Sequence, residues 1–149
     1  MNQIRIYNHL DKETVLDLFD ANCPAYFAPE EREDLNNYLD SELEDYFVVE
    51  SEGRVVACGG INIQQDKNKG VLSWDMIHPD SQKKGIGKAL VEHRVKHLKE
   101  NRKVDRIGVR TAQFTHEFYA KCGFVLKEVV KDYWAPDYDL YDMDYPEEK

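Results

Sequence analysis

The stretch Ile77-His78-Pro79-Asp80-Ser81-Gln82-Lys83-Lys84-Gly85-Ile86-Gly87-Lys88-Ala89-Leu90 decides how the chain is read. A strand-like run, Val71 to Ile77, stops just before Pro79. A short polar loop follows, and two glycines stand where a run of helix formers begins, Gly85 to Lys99, with Ile86, Leu90, Val91, Val95 and Leu98 apolar. The unpaired N–H groups of a helix start, together with the helix dipole, make an anion site, and glycines let the backbone close around phosphate oxygens. Lys83, Lys84 and Lys88 add positive charge there to a chain that is acidic elsewhere.

Two familiar phosphate loops fail on this stretch. A P-loop needs Gly at position 82 and Ser or Thr at position 89, where the chain has Gln and Ala. A dinucleotide fingerprint needs a third glycine where Leu90 stands. The acyl-CoA loop, [Arg/Gln]-x-x-Gly-x-[Gly/Ala] after a strand, is met at every defined position by Gln82-Lys83-Lys84-Gly85-Ile86-Gly87. Further on, Phe118-Tyr119-Ala120-Lys121-Cys122-Gly123-Phe124 matches Tyr-x-x-x-Gly-Phe. With both motifs in order, the sequence resembles the GCN5-related N-acetyltransferase (GNAT) family over nearly its whole length. The resemblance implies a single mixed α/β (α+β) domain over residues 1–149. Its sheet is mostly antiparallel and twisted, of about seven strands with one parallel, splayed pair, flanked by about four helices.

Working outward, the periodicities agree with that plan. Ile4 to Tyr7 alternates like a strand, and Asp11 is placed as the N-cap of a helix with Val15, Leu18 and Phe19 as its apolar stripe, continued by Asn22. Pro29 opens a second helix with Leu35, Tyr38, Leu39 and Leu43 on its apolar side and Glu30, Glu31, Glu33 and Asp34 at its start. Tyr46–Val49 and Arg54–Cys58 form a hairpin, and Gly59-Gly60 inside the second run marks a bulge or a close backbone approach. Val71 to Val109 reads as a right-handed parallel crossover. Phe114 to Lys121 reads as a short helix stopped by Gly123, followed by strands from Phe124 to Val130 and from Leu140 to Tyr145.

Composition excludes several classes. A net charge of -9 disfavours nucleic acid and anionic membranes as partners and suits a cationic acceptor. No run approaches the ~18 apolar residues of a membrane span, and Met1 to Tyr7 lacks the apolar core of a signal peptide. The three cysteines, Cys23, Cys58 and Cys122, have unrelated spacings, which points to a reducing cytoplasm. His93 and His97 stand at i and i+4 but lack a zincin glutamate, so they read as solvated and no metal is expected.

The resemblance also implies a chemistry. Acetyl-CoA, as co-substrate, would lie between the strands ending near Ile77 and Val109, its pantetheine arm along the backbone of Met76 and Ile77. An amine would attack the thioester directly in a ternary complex, which needs a neutral amine, a polarised carbonyl and an acid for the thiolate. Tyr119 is the expected acid, because a phenol keeps its proton at neutral pH. For the base the sequence leaves alternatives open: Asp75 is the first candidate, water could relay the proton in its place, and His78 is a second side-chain candidate. Where many members carry an Asn for the coenzyme arm this chain has Thr111, so Thr111 or Gln113 would substitute. Cys122 reads as a small packed residue rather than a nucleophile. The aromatic segments Pro24–Pro29 and Tyr133–Pro136 are expected as loops beside a small-molecule or peptide amine acceptor. A homodimer is compatible with this reading, as are a CoA-binding module without turnover and a simple phosphate-binding adaptor.

Overall fold

The computed structural model describes residues 2–82 and 85–146, so Lys83 and Lys84 of the loop lie outside the described residues. The elements are β1 (Asn2–Ile6), α1 (Lys12–Ala21), α2 (Glu31–Ser41), β2 (Asp45–Ser51), β3 (Arg54–Gln64), β4 (Lys69–Ile77), α3 (Ile86–Glu100), β5 (Arg106–Thr111), α4 (His116–Lys121), β6 (Val125–Ala135) and β7 (Tyr138–Tyr145). The strands make one sheet in the order β1-β2-β3-β4-β5-β7-β6. Among the described residues only β4 and β5 pair in parallel, with α3 as the crossover between them; the other neighbours are antiparallel.

Alternation along β2 sorts the helices onto two faces. Tyr46 and Val48 pack with Val15, Phe19, Leu35 and Leu39 of α1 and α2. Their neighbours Phe47 and Val49 pack with Ile86 and Leu90 of α3. A third cluster joins Val91, Val95 and Leu98 of α3 to Ile107, Val109, Tyr119 and Phe124. The apolar stripes read from the sequence are therefore the buried ones, with Leu16 added and Leu43 left just past the end of α2. Among the described residues no helix is long and apolar enough to cross a membrane.

Three local expectations need correction. Asp11 does not cap α1 with its side chain; Asn8 caps the preceding turn, and the Asp11 carboxylate accepts Asn8 N–H at 2.9 Å and the Arg5 guanidinium at 2.8 and 2.9 Å. The segment Tyr133–Trp134 is not a loop but the end of β6. Ala135 pairs with Tyr138 across a two-residue turn, in which Asp137 takes a positive φ of 72°. His97 is not simply solvated, since its Nε2 lies 2.8 Å from Asp45 Oδ2 and its ring meets Phe47 edge-on.

Candidate active site

The site begins with a defect in β4. Opposite β3 the register passes from Cys58↔Met76 to Gly60↔Ser73, so Gly59 alone faces both Trp74 and Asp75. Trp74 takes a φ of 51°, and this bulge breaks the strand's alternation. Trp74 goes to the α1/α2 face, stacked on Phe27 at 5.9 Å, while Asp75 goes to the α3 face. On the other edge, the parallel ladder to β5 ends at Leu72↔Val109, although β4 runs on to Ile77 and β5 to Thr111. The two strands part there, and a cleft of about 520 Å³ opens between them.

On the floor of the cleft lies a buried ionic cluster. Arg94, fully buried on α3, donates Nη1 to Asp75 Oδ1 and Nη2 to Asp75 Oδ2 at 2.6 Å. Two more of its five N–H groups are used as well, Nη1 on Gly60 O at 3.0 Å and Nε on Leu90 O at 3.2 Å. The Tyr119 hydroxyl donates to Asp75 Oδ2, and the ring is 4% exposed. Burial pushes the Tyr119 phenol well above its ordinary value, and the Asp75 charge pushes the same way. For Arg94 burial works against the charge, but Asp75 outweighs it and the guanidinium stays protonated. Gly59 makes room for the pair: a Cβ there would sit 2.7 Å from Arg94 Nη1 and 2.9 Å from Asp75 Oδ1.

At the loop end, the glycine that opens α3 serves conformation. Gly85 holds a φ of 80° with open space where a Cβ would point. Gly87 does something the sequence did not disclose. Its Cβ would meet Ile77 at 2.6 Å and Phe118 at 2.9 Å, so it lets α3 pack against β4 and α4 rather than only clearing a phosphate. Ala89 N–H is bonded to Gly85 O at 3.0 Å, which leaves the preceding amides of the first turn, Ile86 to Lys88, without an intrahelical acceptor. The Ile86 side chain itself is core, whereas Gln82, Gly85, Gly87 and Lys88 line the cleft. Met76 and Ile77 line it on the β4 edge. Asn22, which the sequence reading left as the tail of a stripe, is 3% exposed; its Nδ2 donates to Leu18 O at 2.8 Å and Ile77 O at 3.1 Å, pinning the end of β4 to α1.

The other expected residues divide. Thr111 lines the cleft. Gln113 is spent elsewhere, donating to Asp137 O at 2.7 Å and accepting Asp139 N–H at 2.9 Å. His78 turns its Nδ1 to its own loop, accepting Asp80 N–H at 3.1 Å. Burial raises the Cys122 thiol, which leaves little thiolate at neutral pH. The cleft wall is rich in aromatic rings, with Tyr26, Phe27, Trp74, Trp134 and Tyr138, and it includes Glu31.

Residues 13–124 match the Acetyltransferase (GNAT) family, and the chain belongs to it. The amino-acid acetyltransferase of Pasteurella multocida (strain Pm70) is 26% identical over 91 residues, which cover 61% of this chain and 20% of that protein. Its counterpart in Actinobacillus pleuropneumoniae serotype 3 (strain JL03) is 28% identical over 88 residues, 59% of this chain and 20% of that protein. The chain thus spans about a fifth of the length of these curated relatives. Among solved structures, the ribosomal-protein-S18-alanine N-acetyltransferase of Escherichia coli superposes with a TM-score of 0.80 at 19% identity, covering 98% of this chain and 94% of that one. A dodecameric spermidine N-acetyltransferase of Vibrio cholerae superposes at 0.73 and 18% identity, covering 96% and 92%. At these identities the superpositions establish the fold.

Proposed function

We propose that this chain transfers an acetyl group from acetyl-CoA to a primary amine by direct attack, with Tyr119 as the acid and Asp75 and Arg94 as the groups that hold it. One observation carries the reading: the only parallel strand pair among the described residues splays open beside the start of α3, with the buried Tyr119 lining the cleft it makes. The residues present fit the coenzyme. Free amides at the start of α3, the left-handed Gly85 and the Lys88 side chain suit a pyrophosphate, and Lys83 and Lys84 belong to the same loop. The β4 edge at Met76 and Ile77 would face the pantetheine arm, with Thr111 also on the cleft wall and Gln113 set aside. When bound, acetyl-CoA supplies an activated acyl thioester.

The reaction forms a C–N bond and breaks the C–S bond, so one proton must leave nitrogen and one must reach sulfur. Tyr119 stays protonated because burial and Asp75 both hold its proton. In the resting site that proton points at Asp75; charge developing on sulfur competes for it, and the phenol turns to donate there. Asp75 was the base candidate in the sequence, but its oxygens accept two N–H groups of Arg94 and the Tyr119 hydroxyl. We therefore assign it to positioning Tyr119 and leave the amine proton to water. Three cysteines outside any disulfide suit a cytoplasmic setting.

The test is free-thiol release from acetyl-CoA across a panel of small amines and N-terminal peptides. Amine-dependent release is the expected result. Coenzyme binding without amine-dependent release would overturn the reading and leave a CoA-binding module.

A further inference from the structure

Among the described residues, four charged side chains line the cleft: Glu31, Asp75, Lys88 and Arg110. Three of them are accounted for. Asp75 is neutralised by Arg94. Lys88 stands at the coenzyme end, 4.0 Å from Glu92. Arg110 lies over the rings of Tyr133 and Trp134 at 5.0 and 5.7 Å and donates to the Tyr133 hydroxyl at 2.8 Å.

Glu31 is not accounted for. Only 8% of it is exposed, yet no Lys, Arg or His among the described residues pairs with it. Its one protein donor is Ala28 N–H, 2.8 Å from Oε2, the reciprocal half of a cap at the start of α2. That bond and the dipole at the start of α2 stabilise the carboxylate in part, but no cationic side chain among the described residues neutralises it. Burial raises its pKa, the Ala28 N–H opposes this, and the neighbouring charges of Asp34 and Glu30 add to the rise. A buried carboxylate without a cation is costly, and such a charge is stabilised by a ligand that brings the cation.

Resting on the acyl-transfer reading, we infer that Glu31 binds a positively charged group of the acceptor, a second one beyond the nitrogen that is acetylated, so that the preferred acceptors are diamines or amines of similar charge pattern. The surroundings suit this. Phe27 and Trp74 stack on each other in the wall of the same cleft, giving a methylene chain an apolar path and strengthening an ion pair by excluding water. Glu31 also sits on the α1/α2 face, whereas Asp75 and Tyr119 sit on the α3/α4 face. The sheet therefore separates it from the acid, which fits recognition of a remote cation rather than deprotonation of the attacking nitrogen.

The experiment compares 1,4-diaminobutane, 4-aminobutanol and butylamine as acceptors at saturating acetyl-CoA, for the wild-type chain, Glu31→Gln and Glu33→Gln. Gln keeps an oxygen for Ala28 N–H, so the cap survives while the charge is lost. In the wild type, KM for the diamine should be at least about tenfold below that for the aminoalcohol, the scale of one charge-assisted hydrogen bond. Glu31→Gln should erase that gap through KM with kcat little changed, and Glu33→Gln, exposed on the same helix, should preserve it. Equal KM values for diamine and aminoalcohol in the wild type would overturn the inference without needing any variant to fold. A uniform fall in kcat for all three amines in Glu31→Gln would overturn it too, making Glu31 a general base. Absence of thiol release with every amine in the wild type would instead count against the acyl-transfer reading itself.

Discussion

Asp75 and Glu31 line the same cleft from opposite faces of the sheet, and their surroundings could hardly differ more. Asp75 faces a fully buried arginine that spends two N–H groups on it, and its remaining capacity goes to the Tyr119 hydroxyl. Glu31 is better covered still, at 8% against 16% for the Asp75 side chain, but meets one backbone amide and no cation among the described residues. The contrast teaches that burial alone does not assign a role to a carboxylate. The neutralised one is committed to Arg94 and Tyr119; the one without a cation is the one proposed to meet a charged acceptor.

The largest expected effect comes from breaking the neutralised pair. Arg94→Met leaves the half-buried Asp75 without its cation, a loss of up to about 3–5 kcal/mol, or a fall in Tm of up to about 6–20 °C for a chain of this size. Thermal unfolding measures it, and a Tm within the scatter of the wild type would mean that the pair is not a structural anchor. A gentler probe is Gly59→Ala, whose new Cβ presses on Arg94 Nη1 and Asp75 Oδ1. Overpacking of this kind costs about 1–3 kcal/mol, and kcat should fall as Tyr119 loses its seat while KM for acetyl-CoA holds. Unchanged kcat in a destabilised Gly59→Ala chain would separate the pair from catalysis.

Glu31 should respond with the opposite sign. Its folded pKa is raised, chiefly by burial, so the folded state holds the proton more tightly than the unfolded chain does. Its contribution to stability is favourable below the unfolded value and lost as pH climbs through the folded one. Glu31→Gln should therefore match or exceed the wild-type Tm at neutral pH, by on the order of 2 °C, with the advantage vanishing in acid. A variant less stable at neutral pH than in acid, relative to wild type, would contradict the uncompensated charge. The smallest effect is ionic strength. Glu30, Glu33 and Asp34 are exposed around Glu31, and exposed charges act over ~10 Å at 0.1 M salt. Raising salt should depress kcat/KM for a diamine more than for a monoamine; equal slopes would confine the acceptor's electrostatics to the cleft.

The elements were legible in the sequence wherever a local signal fixed them. The loop Gln82–Gly87, the stripes of α1 to α3 and the hint at Gly59-Gly60 needed only spacing and composition. The end of β6 is not legible locally, because the strand is held by Val130↔Leu140 and Ala135↔Tyr138 on either side of an irregular stretch and closed by the Pro136–Asp137 turn, a non-local cause. The ionic cluster was half legible. Arg94 stands at i+4 from Leu90 and i+3 from Val91, on the buried stripe of its helix, and a charge in that position signals a buried partner. Its partner could not be named, because the bulge at Trp74 resets which face of β4 Asp75 occupies. Glu31 was one of four acids at the start of α2, and only the packing of the Tyr26–Ala28 segment singles it out as the buried one.

The central claim is that the hydroxyl held by Asp75 delivers the proton to the leaving sulfur. Tyr119→Phe keeps the ring in its cluster with Phe118 and Phe124 and removes only that donor. With saturating acetyl-CoA and a good amine, its kcat should fall about 10²–10⁴-fold, the usual worth of a general acid, while calorimetric affinity for CoA stays within about twofold. A folded Tyr119→Phe chain that transfers acetyl groups at the wild-type rate would contradict the account and place the acid elsewhere in the cleft.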